Sequence, residues 1–168
     1  MFSPEGGVAQ SVIDLVKGAS GELLVASYSV TNSDIVDAWI ACAQAGNKVT
    51  VLMDESETHG VQATLHDKAV AGGCDVLLVK PPKGIQHNKF TVTGNLLETG
   101  SYNYTEAAEH NNWENALFIN DEATAQAYRE YFWKIAATGY RESEMGQLQV
   151  TVNRTIRHAK AGFRNRGY

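Results

Sequence analysis

The stretch Leu23-Leu24-Val25-Ala26-Ser27-Tyr28-Ser29-Val30, followed by Thr31-Asn32-Ser33, decides how the chain is built. Eight residues rich in β-formers predict a strand, and the polar triplet supplies side chains that cap helix N-termini. The helix so started carries Ile35, Ala38, Trp39 and Cys42 at helical spacing and ends at Gly46. Outward from there, Val49 to Met53 reads as a short buried strand. Val61, Leu65 and Ala69 mark a further helix stopped by Gly72-Gly73, and Val76 to Val79 reads as the next strand. Upstream, Val8, Val12, Leu15 and Val16 repeat at helical spacing between the Pro4-to-Gly7 turn and the break at Gly18 to Gly21. The alternation β-α-β-α-β implies a sheet flanked by helices.

After Pro81-Pro82 the pattern changes. Gln86 to Thr93 and Leu96 to Thr99 are strand-like runs on either side of Gly94-Asn95, a hairpin turn. Asn115 to Ile119 reads as another strand, and Asp121 caps a helix whose Ala125, Tyr128, Phe132 and Ile135 form one apolar face. The expected class is α/β, with a mixed, largely parallel sheet covered by helices on both faces.

A length of 168 residues fits one domain, and 43% hydrophobic with 20% charged residues excludes disordered and collagen-like classes. The net charge of -5 hides a division: residues 150–168 carry +5 with no acid, which leaves -10 on the rest. The expected organisation is a domain over residues 1–145 and a basic extension over residues 146–168, either a solvated tail or an arm for polyanions. Two cysteines make neither a disulfide framework nor a zinc cluster, and buried reduced thiols are expected. No integral membrane segment is apparent, and Met1-Phe2-Ser3-Pro4 lacks signal-peptide character. The expected location is cytoplasmic, or periplasmic or secreted if a leader has been removed.

The chemistry gathers in Gln86-His87-Asn88-Lys89-Phe90, Gly100-Ser101-Tyr102-Asn103-Tyr104-Thr105 and Trp113-Glu114-Asn115. Strand alternation puts His87 and Lys89 on one side and Asn88 and Phe90 on the other. Ser101 and Asn103 are also two apart, so one patch collects an imidazole, a cation, a hydroxyl and a carboxamide. Such groups suit a phosphoryl centre, where donors placed in advance balance developing negative charge.

These residues resemble the signature of the phospholipase D superfamily, H-x-K-x4-D followed by G-S-x-N. The match is His87-Asn88-Lys89 and then Gly100-Ser101-Tyr102-Asn103. The chain is most similar to the small bacterial endonucleases of that superfamily that carry a single motif. The likeness runs from Phe2-Ser3-Pro4-Glu5-Gly6-Gly7 through Ala26-Ser27-Tyr28-Ser29 and Glu114-Asn115-Ala116 to about residue 142. One departure is Gly94, which stands where the family has aspartate.

The resemblance implies a phospholipase D or nuclease-like fold with half a site per chain, and metal-independent phosphodiester hydrolysis with no cofactor. His87 would be the nucleophile and its counterpart in a second subunit the general acid. Lys89, Ser101 and Asn103 would hold phosphoryl oxygens, and Glu114 would orient an imidazole. The implied partners are DNA, with RNA open, and a second copy of the chain. Two alternatives stand: a phospholipid phosphodiesterase of the cardiolipin type, and a non-catalytic nucleic-acid-binding protein, which the missing aspartate favours.

For substrate contact, Tyr102, Tyr104 and Trp113 could stack bases or serve packing, and Arg154, Arg157 and Lys160 could meet a backbone. Metal ligands are poorly represented. Asp54, Glu55 and Glu57 read as an acidic solvated loop, and His59 and His66, seven apart, as surface residues unless they line a substrate channel.

Overall fold

Asn32 shows how local chemistry builds the framework. Its side chain accepts from the backbone N–H of Asp34 and of Ile35, both at 3.1 Å, satisfying donors that the first helical turn leaves unpaired. Helix α2 (Ser33–Gln44) therefore starts there, after strand β2 (Glu22–Ser27). The structure, a computed structural model, describes residues 1–144. Within them follow β3 (Lys48–Asp54), α3 (Val61–Ala71) and β4 (Asp75–Val79), then the hairpin β5 (Lys89–Thr93) and β6 (Leu96–Gly100). Strand β7 (Glu114–Asn120) and helix α5 (Glu122–Ala136) complete the body, with Asp121 accepting from Thr124 N–H at 2.7 Å as the α5 cap. At the other end of the chain are β1 (Phe2–Ser3) and α1 (Val8–Lys17), and a short helix α4 (Glu106–His110) precedes β7.

The seven strands form one sheet in the order β1-β7-β6-β5-β2-β3-β4. The mixed α/β architecture is as the sequence predicts, but the balance within it differs. Only β2–β3 and β3–β4 pair in parallel, and the other four pairings are antiparallel. The helical crossovers that parallel pairing requires are confined to α2 and α3, whereas the later strands are joined by a hairpin and a return through α4.

Alternation sorts the strand residues into two cores. Leu23, Val25, Val49, Val51, Val76 and Leu78 pack with α1, α2 and α3, while Leu24, Ala26, Leu52, Leu77, Phe90 and Val92 pack against α5. Helices thus cover both faces. Phe90 meets α5 through Tyr128 and Phe132, with ring centroids 5.0 and 6.3 Å away. Cys42 and Cys74 are buried free thiols, and burial pushes the Cys74 thiol up to about 12. No helix among the described residues is long and apolar enough to cross a membrane.

Candidate active site

Strand β5 begins at Lys89, not at Gln86. Gln86 Oε1 accepts from both the backbone N–H and the side-chain amide of Asn88, at 2.6 and 3.1 Å, and this local bonding takes the chain out of the ladder. Asp54 reinforces the bend by accepting from Gln86 N–H at 2.6 Å. Asp54 is 2% exposed, so it is not a solvated acid. Its other oxygen accepts from the backbone N–H and hydroxyl of Ser56, and both oxygens are occupied.

This bend places His87 in the open and Lys89 inside. Lys89 is 6% exposed and its Nζ donates to the His87 carbonyl at 2.8 Å. It makes no ion pair among the described residues. Burial holds its pKa below the ordinary lysine value, with the Glu114 charge working the other way. The Tyr28 ring adjoins both groups, its centroid 4.5 Å from that of His87 and 5.0 Å from Lys89 Nζ. The His87 ring makes no hydrogen bond among the described residues.

Ser101 and Glu114 meet where β6 and β7 start to diverge. The Ser101 hydroxyl donates to Glu114 Oε2 and accepts from Asn115 N–H at 3.1 Å, while the other Glu114 oxygen accepts from Asn112 Nδ2 at 3.1 Å. Gly100 is required at this approach, because a Cβ there would lie 2.1 Å from the Asn115 carbonyl oxygen. Asn103 is half-buried, with an amide oxygen that has no partner among the described residues.

Tyr102 and Tyr104 are wholly buried, so neither stacks bases; this corrects the substrate role given them above. Tyr102 donates to Glu109 at 2.8 Å, and Tyr104 donates to Glu98 and pairs with Thr91 at 2.7 Å. Burial, followed by the charge and hydrogen bond of Glu98, raises the Tyr104 pKa well above the usual tyrosine value. Trp113 is 92% exposed and lines an open cleft of about 570 Å³ with Phe2, Ser3, Pro4, Glu5, Glu114 and Asn115. The cleft reaches the motif residues only at Glu114. Arg154, Arg157 and Lys160 lie outside the described residues.

Gly94 sits in the β5–β6 turn at φ 51°, a left-handed value that suits glycine. It is at the far end of β5, about 16 Å along the strand from Lys89 at 3.3 Å per residue. A carboxylate at position 94 could not touch this site. Arg129 holds the turn instead, donating to the Gly94 carbonyl at 2.9 Å.

A possible metal cluster lies elsewhere. His66, Asp67 and Glu142 bring three ligand atoms within 4.8 Å of one another. His66 is 3% exposed, which corrects its reading as a surface residue, whereas His59 is exposed. Nδ1 of His66 already contacts Asp67 at 2.9 Å, and its buried Nε2 has no partner among the described residues. A metal on Nδ1 would force the proton onto Nε2, where no described residue accepts it, so the described residues do not fit such an ion.

The sequence matches the family described as "Cardiolipin synthase, PLD-like domain" over residues 12–136. A protein of Rickettsia conorii named phospholipase D is 31% identical over 128 residues, which are 76% of this chain and 63% of that protein. The chain thus spans under two thirds of that relative's length. Among solved structures, a phospholipase D family member, Nuc from Salmonella typhimurium, superposes with a TM-score of 0.77 at 31% identity, covering 84% of this chain and 95% of that one. NucT from Helicobacter pylori shares the fold with a TM-score of 0.74 at 24% identity, covering 83% and 96%. The family match and the structural likeness at 31% identity agree, and the chain belongs to the phospholipase D-like family.

Proposed function

We propose that the chain is a phosphodiesterase that cleaves DNA without a metal, through a covalent phosphohistidine at a site completed by a second copy of the chain. The observation that carries this reading is Lys89. A cation taken out of water whose contacts among the described residues are a carbonyl and a ring face, with the Glu114 charge not in direct contact, is poorly compensated, and an anionic phosphoryl group supplies the missing charge. His87 lies beside it, exposed, as a nucleophile must be to reach phosphorus.

His87 attacks phosphorus and forms an N–P bond while the P–O bond to the leaving group breaks. The leaving oxygen takes its proton from His87 of the partner subunit, which then removes a proton from the water that hydrolyses the phosphohistidine. In this reading Lys89 meets the phosphoryl oxygens, and Ser101, bonded to Glu114, and the Asn103 amide supply further donors. Glu114 spends its own-chain bonds on Ser101 and Asn112, not on His87. The partner reading is supported by the apolar side chains that line the cleft with Glu114, where Phe2 is 73% and Trp113 92% exposed. DNA is favoured over lipid by the single-motif endonuclease resemblance and the +5 tail, which lies outside the described residues.

The test is plasmid and single-stranded DNA incubated with wild type and His87→Ala, with and without EDTA. EDTA-resistant cleavage that falls by roughly 1,000-fold or more in the variant is expected. Cleavage that depends on added magnesium overturns the mechanism. Hydrolysis of cardiolipin with no cleavage of DNA or RNA would transfer the same chemistry to a lipid, the reading that the name of the Rickettsia relative favours.

A further inference from the structure

The ring at position 28 stands between the two basic groups of the site, and its far end is tied down. Tyr28 Oη donates to Glu57 Oε1 at 3.0 Å, and the other Glu57 oxygen accepts from Gln62 Nε2 at 3.3 Å. Gln62 Oε1 in turn accepts from Val30 N–H at 2.8 Å, in a bond that is fully buried. The phenol is thus locked to a carboxylate that is itself fixed to the chain two residues beyond Tyr28. The hydrogen bond from Glu57 also raises the Tyr28 pKa, so the hydroxyl keeps its proton and stays a donor. The His87 imidazole has no comparable restraint: no hydrogen bond among the described residues fixes its ring, and its neighbour is the Tyr28 face, tilted by 55° at 4.5 Å.

A nucleophilic imidazole has to aim one nitrogen lone pair along the line to phosphorus, and small misorientation is costly to rate. We infer that Tyr28 is the positioning residue that sets the His87 ring, and that Glu57 acts at one remove by fixing Tyr28. The inference rests on His87 being the nucleophile. It gives a task to the acidic residues at and just beyond the end of β3, which serve the site from two directions: Asp54 holds the backbone before His87, and Glu57 holds the ring against which His87 leans. The tyrosine face is suited to both states of its neighbours, because its π-electrons attract the Lys89 ammonium and also an imidazole that gains positive charge during turnover.

Three variants test this: Tyr28→Leu removes the ring, Tyr28→Phe keeps the ring and removes the tether, and Glu57→Ala removes the anchor. Steady-state cleavage of a DNA oligonucleotide and the NMR signals of the His87 ring protons are followed in each. Tyr28→Leu is expected to lower kcat by about 10- to 100-fold while KM stays within about threefold, because orientation and not binding is lost. The His87 ring-proton signals should shift with loss of the ring current. Tyr28→Phe and Glu57→Ala should resemble each other, each lowering kcat by about threefold to tenfold, with smaller shifts of the same signals. Wild-type kcat and unmoved His87 signals in Tyr28→Leu overturn the inference. If that variant does not fold, the same null result in both Tyr28→Phe and Glu57→Ala overturns it. A wild-type protein that cleaves no phosphodiester overturns the functional reading instead, and the ring-proton signals still report whether Tyr28 orients His87.

Discussion

Glu98 lies fully out of water on β6, opposite Thr91 on β5, and accepts from the Tyr104 hydroxyl while its second oxygen has no partner among the described residues. Thr91, Tyr104 and Glu98 link the strand that carries Lys89 to the loop that carries Asn103, so this chain of bonds is the floor of the candidate site. Burial pushes the Glu98 carboxyl up to about 8, with the Tyr104 hydrogen bond opposing. An acid whose pKa is higher folded than unfolded holds its proton more tightly in the folded state. Its contribution is therefore complete below the ordinary carboxylate range and is lost as pH rises through about 8. Urea unfolding of wild type should show stability falling between pH 5 and 9. Glu98→Gln, which cannot ionise, should lack up to about 4 kcal/mol of that fall, at about 1.4 kcal/mol per unit. Identical pH profiles for the two proteins would mean that Glu98 does not titrate as described.

Among the elements, the β6–β7 junction is the most tightly specified. Gly100→Ala should force the strands apart where Ser101 meets Glu114, because its Cβ would meet backbone. We expect a loss of about 2 kcal/mol or more in urea unfolding and a larger proportional loss of cleavage; a variant with wild-type stability would show that the strands yield easily. The elements legible in the sequence are those specified by neighbours in the chain: β2 to β4 by apolar runs, α2 and α5 by Asn32 and Asp121, and the hairpin by Gly94-Asn95. What was hidden depended on distant partners. The strand assigned to Gln86 was displaced by Asp54, 32 residues away, and the roles of Glu57 and Gln62 depend on Tyr28 and Val30, 29 and 32 residues away. Stacking and packing were both open for Tyr102 and Tyr104 because nothing local shows that their loop folds back over the start of α2, where the Tyr104 carbonyl accepts from Thr31 and Asn32 N–H at 3.0 Å. The two-residue β1 and five-residue α4 are too short for periodicity to reveal.

For the whole molecule, the prediction is one of association. The proposed half-site needs a partner, and β7 with its surroundings offers the apolar area for one. Leu117, 56% exposed, can be changed without disturbing the core. Leu117→Asp should keep the wild-type melting temperature at low protein concentration, shift sedimentation toward the monomer, and lower cleavage by about 10-fold or more, with recovery at high concentration. A variant that sediments as a monomer and cleaves at the wild-type rate would show that one chain holds a complete site.

Strand β7 has another side to its exposure. On its outer edge β1 pairs at Phe2 with Asn115 and at Ser3 with Glu114, so beyond Ala116 the backbone groups on that edge meet no strand among the described residues, while Leu117 and Phe118 are 56% and 38% exposed. An apolar strand with an open edge is a template for wrong pairing. As the chain folds, the strand that holds Glu114 is therefore an aggregation hazard, and crowding of newly made chains sets early docking in competition with misassembly.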